Sequence, residues 1–104
     1  MFVYKKALKN FHRKHLQRKF KRYNEKVSHY HHINRIYNNQ AKLILEFNGR
    51  GNLNNLSERD FENYLIVKRK AEEALNLNNY FRHKLGIILN KIQTLKNNKG
   101  EYND

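Results

Sequence analysis

The sequence predicts an all-α fold: a long antiparallel helical hairpin, coiled-coil-like, with a basic N-terminal helix. Three observations carry that expectation. Proline is absent and glycine occurs four times in 104 residues, so almost nothing interrupts a long helix. Two stretches keep apolar residues at alternating spacings of three and four, the period that places one stripe of each helix against a partner. Between them lies one short cluster of Gly and Asn, which reads as a turn.

The elements follow in order. Residues 1–24 form a basic helical segment whose apolar edge runs Tyr4, Leu8, Phe11, Leu16 and Phe20, with a slip between Phe11 and Leu16. Residues 25–48 form the first hairpin arm, in which Val27, Tyr30, Asn34, Tyr37, Ala41 and Ile44 continue the stripe from Phe20 and Tyr23. Residues 49–56 form the loop. Gly49 is expected to end the first helix because glycine tolerates the left-handed backbone needed there. Residues 57–97 form the second arm, with Tyr64, Val67, Ala71, Ala74, Asn78, Phe81, Leu85, Ile88, Ile92 and Leu95 in the stripe. Its start is well signalled. Ser57 is placed to accept the Asp60 N–H, Asp60 to reach back as in a capping box, and Leu56 and Phe61 to staple the entrance. Residues 98–104 are a polar tail in which Gly100 is expected to stop the helix.

With the loop centred near residue 52, positions whose numbers sum to about 105 face each other across the antiparallel pair. Tyr23 then meets Phe81, Phe20 meets Leu85, Leu16 meets Ile88 and Phe11 meets Leu95. Asn76 to Asn79 are poor helix formers and mark a place for a kink or an early end. Gly86 marks either an exposed position or the close approach of another backbone. Buried Asn at 34 and 78 would fix register at some cost in stability. Two helices bury one side of each other only, so the chain is expected to be completed by a folded-back third helix, as a dimeric four-helix bundle, or within a larger assembly.

Charge supplies the functional signal. Lys and Arg number 22 against nine Asp and Glu, a net charge of +13. Residues 1–40 hold 11 of the basic residues and a single acid, Glu25. Lys5, Lys6, Lys9, Arg13, Lys14, Arg18, Lys19, Lys21 and Arg22 are therefore the expected nucleic-acid-binding residues. A basic helix neutralises phosphates and releases their condensed counterions, which gives affinity without sequence information. The expected partner is nucleic acid, RNA ahead of DNA, or a ribonucleoprotein assembly in an intracellular setting. The alternative is a structural or regulatory protein docking on another protein, as a subunit of a large complex or a small phage or mobile-element regulator. Basic helices with an apolar edge also lie on anionic membranes. A mitochondrial presequence is usually rich in Ser, which here first occurs at position 28.

Catalysis is not expected. There is no cysteine, and no nucleophile stands at a recognisable spacing from a base. Glu72 and Glu73 are adjacent, hence on different helix faces. His12 with His15, and His29 with His32 (with His31 between them), have chelating spacing but no evident Cys or second-site carboxylate to complete a site, so neither a metal nor any other cofactor is expected. Tyr23, Tyr30 and Tyr37 recur every seventh position and read as core rather than as base-stacking residues. No run of about 18 apolar residues is present, which excludes a spanning helix.

Overall fold

The structure, a computed structural model, describes the backbone from residue 2 to residue 101 and the side chains from 10 to 97. Two long helices pack against each other as an antiparallel hairpin: α1 (Phe2–Gly49) and α2 (Glu58–Glu101), joined by a short 3-10 turn (Leu53–Asn55). The basic segment continues α1 and does not fold back as a third helix. The reason is visible in the apolar phase. The alternating three–four spacing runs backwards from Phe20 to Leu16 and then to Arg13, without a slip. Leu16 is buried and Arg13 half-buried, whereas Phe11 is 70% exposed. Phe11 therefore does not meet Leu95, and Arg13 takes its place in the seam.

The chain divides into two compact units. Unit 1 comprises Met1–Lys26 with Tyr80–Asp104, and unit 2 comprises Val27–Asn79. In unit 1, Leu16 and Ile88 are buried, and the Tyr23 and Phe81 rings lie 5.9 Å apart, as the register requires. Gly86 has no atom within 4 Å of where a Cβ would stand, so it marks open space and no backbone approaches it.

Unit 2 is held by a different device. Ala41, Ala71 and Ala74 are its buried apolar residues, and their small side chains let the helices approach closely. Into that narrow seam each helix sends one asparagine. Asn34 Nδ2 donates to the Ala71 carbonyl at 2.7 Å, and Asn78 Nδ2 donates to the Val27 carbonyl, also at 2.7 Å. Both pairs fall on the predicted register sum, and each asparagine stands one heptad from the residue of its own helix whose carbonyl accepts from the other asparagine. A one-residue slip breaks both bonds and leaves buried amides unpaired, which costs about 1–3 kcal/mol for each group. The network extends outward: Asn38 Nδ2 donates to Asn34 Oδ1 at 3.2 Å, and Lys68 Nζ donates to Asn38 Oδ1 at 3.4 Å. The Asn76–Asn79 stretch accordingly does not end the helix; tertiary bonding at Asn78 outweighs its weak local propensity.

The loop differs from expectation in one respect. The left-handed residues are Arg50, with φ 51°, and Gly51, with φ 83°, and not Gly49. Gly49 lies close to Leu56: a Cβ there would stand 3.0 Å from Leu56 Cδ2, a contact that the leucine side chain would have to relieve. The end of α1 is tied by the Gly51 N–H, which donates to the Leu45 carbonyl, and by Asn55 Nδ2, which donates to the Gly49 carbonyl at 3.1 Å. Ser57 Oγ accepts the Asp60 N–H at 3.2 Å and so caps α2, whose first turn also carries Glu58 and Asp60 against the helix dipole. At the other end α2 runs one residue past Gly100, to Glu101. The remainder of the predicted tail, from Tyr102 to Asp104, lies outside the described residues.

Candidate polyanion interface

The predicted binding residues all lie on α1 within unit 1. The side chains of Lys5, Lys6 and Lys9 lie outside the described residues. Lys14, Arg18, Lys21 and Arg22 are exposed, Lys19 is half-buried, and Arg13 is drawn into the seam. Arg13 is half-buried in an apolar seam position, and its Nε, the inner nitrogen of the guanidinium, is buried without a hydrogen-bond partner.

Heptad positions sort the others by side. With Phe20 and Val27 at a, and Leu16 and Tyr23 at d, Lys19 takes g and Arg22 takes c. Lys14 and Lys21 take b, and Arg18 takes f. The predicted set thus points in several directions around α1 and makes no single patch alone. The second helix organises it. In an antiparallel pair the g positions of the two helices share one side, and the e positions share the other. The Asn38–Lys68 contact joins two e positions, in keeping with that rule. In unit 1, Lys84 and Lys91 of α2 occupy g, so they stand on the same side as His12, His15, Lys19, Arg22 and Lys26. An open groove on this side is lined by His12 from α1 and by Ile87, Asn90, Lys91, Thr94 and Leu95 from α2. The other side carries Lys14 and Lys21 with Arg82 and Lys96.

Folding therefore gathers charge that the sequence separates. Unit 1 contains 15 Lys and Arg against three Asp and Glu, a net +12, whereas unit 2 contains seven against six, a net +1. Among the described residues the one ion pair is Lys42–Glu46, at 3.9 Å, in unit 2. The basic side chains of unit 1 make aromatic contacts instead. Arg22 lies 5.6 Å from the centre of the Tyr23 ring and Lys84 lies 5.5 Å from that of Tyr80. These contacts orient the cations and leave their charge uncompensated.

Lys26, Lys84 and Lys91 were missed by reasoning on the N-terminal segment alone. The register contained the signal, since it sets residues 80–97 beside residues 8–25. The tyrosines behave as core: Tyr23, Tyr30 and Tyr37 are half-buried in the seam, and Lys70 lies 5.6 Å from the Tyr37 ring centre. Among the described residues of unit 1, the exposed phenylalanine and tyrosine are instead Phe11 and Tyr80. Among the described residues, no group of three or more His, Cys, Asp or Glu gathers as a metal site would need, and no helix is long and apolar enough to cross a membrane. No protein-family model matches the chain, and neither does any curated protein or solved structure.

Proposed function

We propose that this chain is a non-catalytic polyanion-binding protein, an accessory component that holds nucleic acid, RNA ahead of DNA, on the basic side chains of unit 1. The observation that carries the reading is the +12 charge of unit 1, free of ion pairs among the described residues. A field of that strength concentrates polyanions and speeds their encounter. Lys14, Arg18, Lys19, Lys21 and Arg22 act with Lys26, Lys84 and Lys91 on phosphates, and Lys5, Lys6 and Lys9 add their charge to the same helix. Lysine predominates, which suits phosphate contact more than bidentate reading of bases. Phe11, at 70% exposure among these charges, offers a face on which an unpaired base stacks. A duplex has no free base face to offer it, and this favours single-stranded RNA.

The test is a salt titration of binding to labelled single-stranded RNA and to duplex DNA. The full chain is compared with a variant carrying Lys19→Gln, Arg22→Gln, Lys26→Gln and Lys91→Gln. Substitution is preferred to truncation before Glu25, because α1 supplies half of the unit 1 core. The wild type binds with steep salt dependence. The variant keeps its helical circular dichroism, and its log–log salt slope falls by about three. Absence of binding at low salt, or an unchanged slope, overturns the proposal.

A second reading, docking on a partner protein, is favoured by a separate observation. Ile66, Leu77 and Ile87 are all exposed on α2 and unused by the hairpin seam.

A further inference from the structure

Unit 2 carries more apolar surface than its two helices cover. Its buried apolar residues are three alanines, while larger side chains stand outside the seam. On the side defined by the c and g positions, α1 contributes Ile36, Leu43 and Phe47, and α2 contributes Ile66 and Leu77; all five are exposed, Phe47 at 79%. In the hairpin register Ile66 lies level with Asn39 and Leu77 with Ser28. The five therefore form one strip spanning the levels of residues 28 to 47, about 28 Å at 1.5 Å per residue. On this side Lys70 and Glu73 stand between Leu77 and the other four; the opposite side has three exposed apolar residues, Phe61, Leu65 and Leu75, with Arg35, Lys42 and Lys68 among them.

We propose that this strip is the interface of a homodimer, in which a second copy of the chain seats its own Ile36, Leu43, Phe47, Ile66 and Leu77 on it about a two-fold axis. Three observations select a second copy as the occupant. The first is area. The chain exposes 8754 Å², whereas a compact monomer of its mass exposes about 6,200 Å², and a standard interface removes about 800 Å² from each partner. The second is charge. Unit 2 has a net charge of +1, so two copies meet there with little repulsion, and a polyanion gains nothing from it. The third is the rim. Arg59, Arg69 and Lys70 stand on or beside the strip on α2 together with Glu62 and Glu73, three cations and two anions. A two-fold axis can set the cations of one copy against the anions of the other, as a self-complementary surface requires.

The proposal is tested without nucleic acid, so its outcome is separate from that of polyanion binding. Sedimentation equilibrium of the full chain, in salt high enough to screen unit 1, is expected to give twice the chain mass at micromolar concentration. A Leu43→Glu, Ile66→Glu variant is expected to give the single-chain mass with its helical signal retained. Because the chain has no cysteine, a single thiol reports the interface even if that variant fails to fold. Ile66→Cys, near the middle of the strip, is expected to form an intermolecular disulfide on mild oxidation. Leu65→Cys, on the opposite side, is expected to form at least tenfold less. A wild type that sediments as a single chain at every concentration, or equal cross-linking from positions 65 and 66, overturns the homodimer.

Discussion

The two units are built from the same pair of helices and yet solve opposite problems. Unit 1 closes with large side chains, Leu16, Ile88 and the Tyr23–Phe81 pair, and spends its surface on charge. Unit 2 closes with alanines and two cross-helix asparagine bonds, and leaves its large apolar side chains outside. The contrast is sharpest between two phenylalanines, both strongly exposed: Phe11 stands among lysines and arginines, and Phe47 among Leu43, Ile36 and Ile66. A residue type does not fix a role. Its heptad position and its neighbours across the hairpin do.

The largest expected effect breaks the comparison at the level of charge. Lys19→Gln, Arg22→Gln, Lys26→Gln and Lys91→Gln together are expected to weaken RNA binding about a thousandfold near 0.1 M salt. Neutralising four cations of unit 2, Arg59, Lys68, Arg69 and Lys70, is expected to change it far less, as read from the same titration. Equal losses would mean that net charge matters and its placement does not.

Next in size is Asn78→Asp. Asn78 is 2% exposed and donates to a carbonyl, so an isosteric carboxylate there is buried against a lone pair. The loss expected at neutral pH is about 3 kcal/mol in chemical denaturation. Replacing Asn34 and Asn78 together by Leu is expected to raise the melting temperature while loosening register. Amide hydrogen exchange in unit 2 would reveal the loosening, and protection as sharp as in the wild type would show that the asparagines are not what fixes the pairing.

Phe11→Ala is expected to weaken single-stranded RNA binding by about 1–3 kcal/mol and to leave duplex DNA binding nearly unchanged. A parallel loss on both ligands would assign Phe11 to structure instead of stacking. The smallest effects concern glycine. Gly86→Ala in unit 1 is expected to gain about 1 kcal/mol, because its Cβ meets nothing and helix propensity improves. Gly49→Ala in unit 2 is expected to lose stability, because Leu56 must give way. Thermal melts of both variants read the two signs directly.

The sequence by itself determined the helices, the place of the turn, the Ser57 cap and the pairing register. These follow from short-range periodicity, from the absence of proline and from local turn chemistry, all of which act within a few residues along the chain. It misplaces Phe11, because an apolar residue five positions before the next implies a slip, whereas an unbroken helix carries Arg13 into the seam. It also misplaces the left-handed backbone, which falls at Arg50 and Gly51 and not at Gly49, where the chain instead passes close to Leu56. Tertiary structure alone decided that Asn78 is a buried donor and not a helix breaker, since the Val27 carbonyl it meets is 51 residues away. It also decided the candidate site. Charge along the chain is fixed by sequence, but the field a ligand meets is fixed by distance. Only the hairpin sets Lys84 and Lys91 on the same side as Lys19 and Arg22.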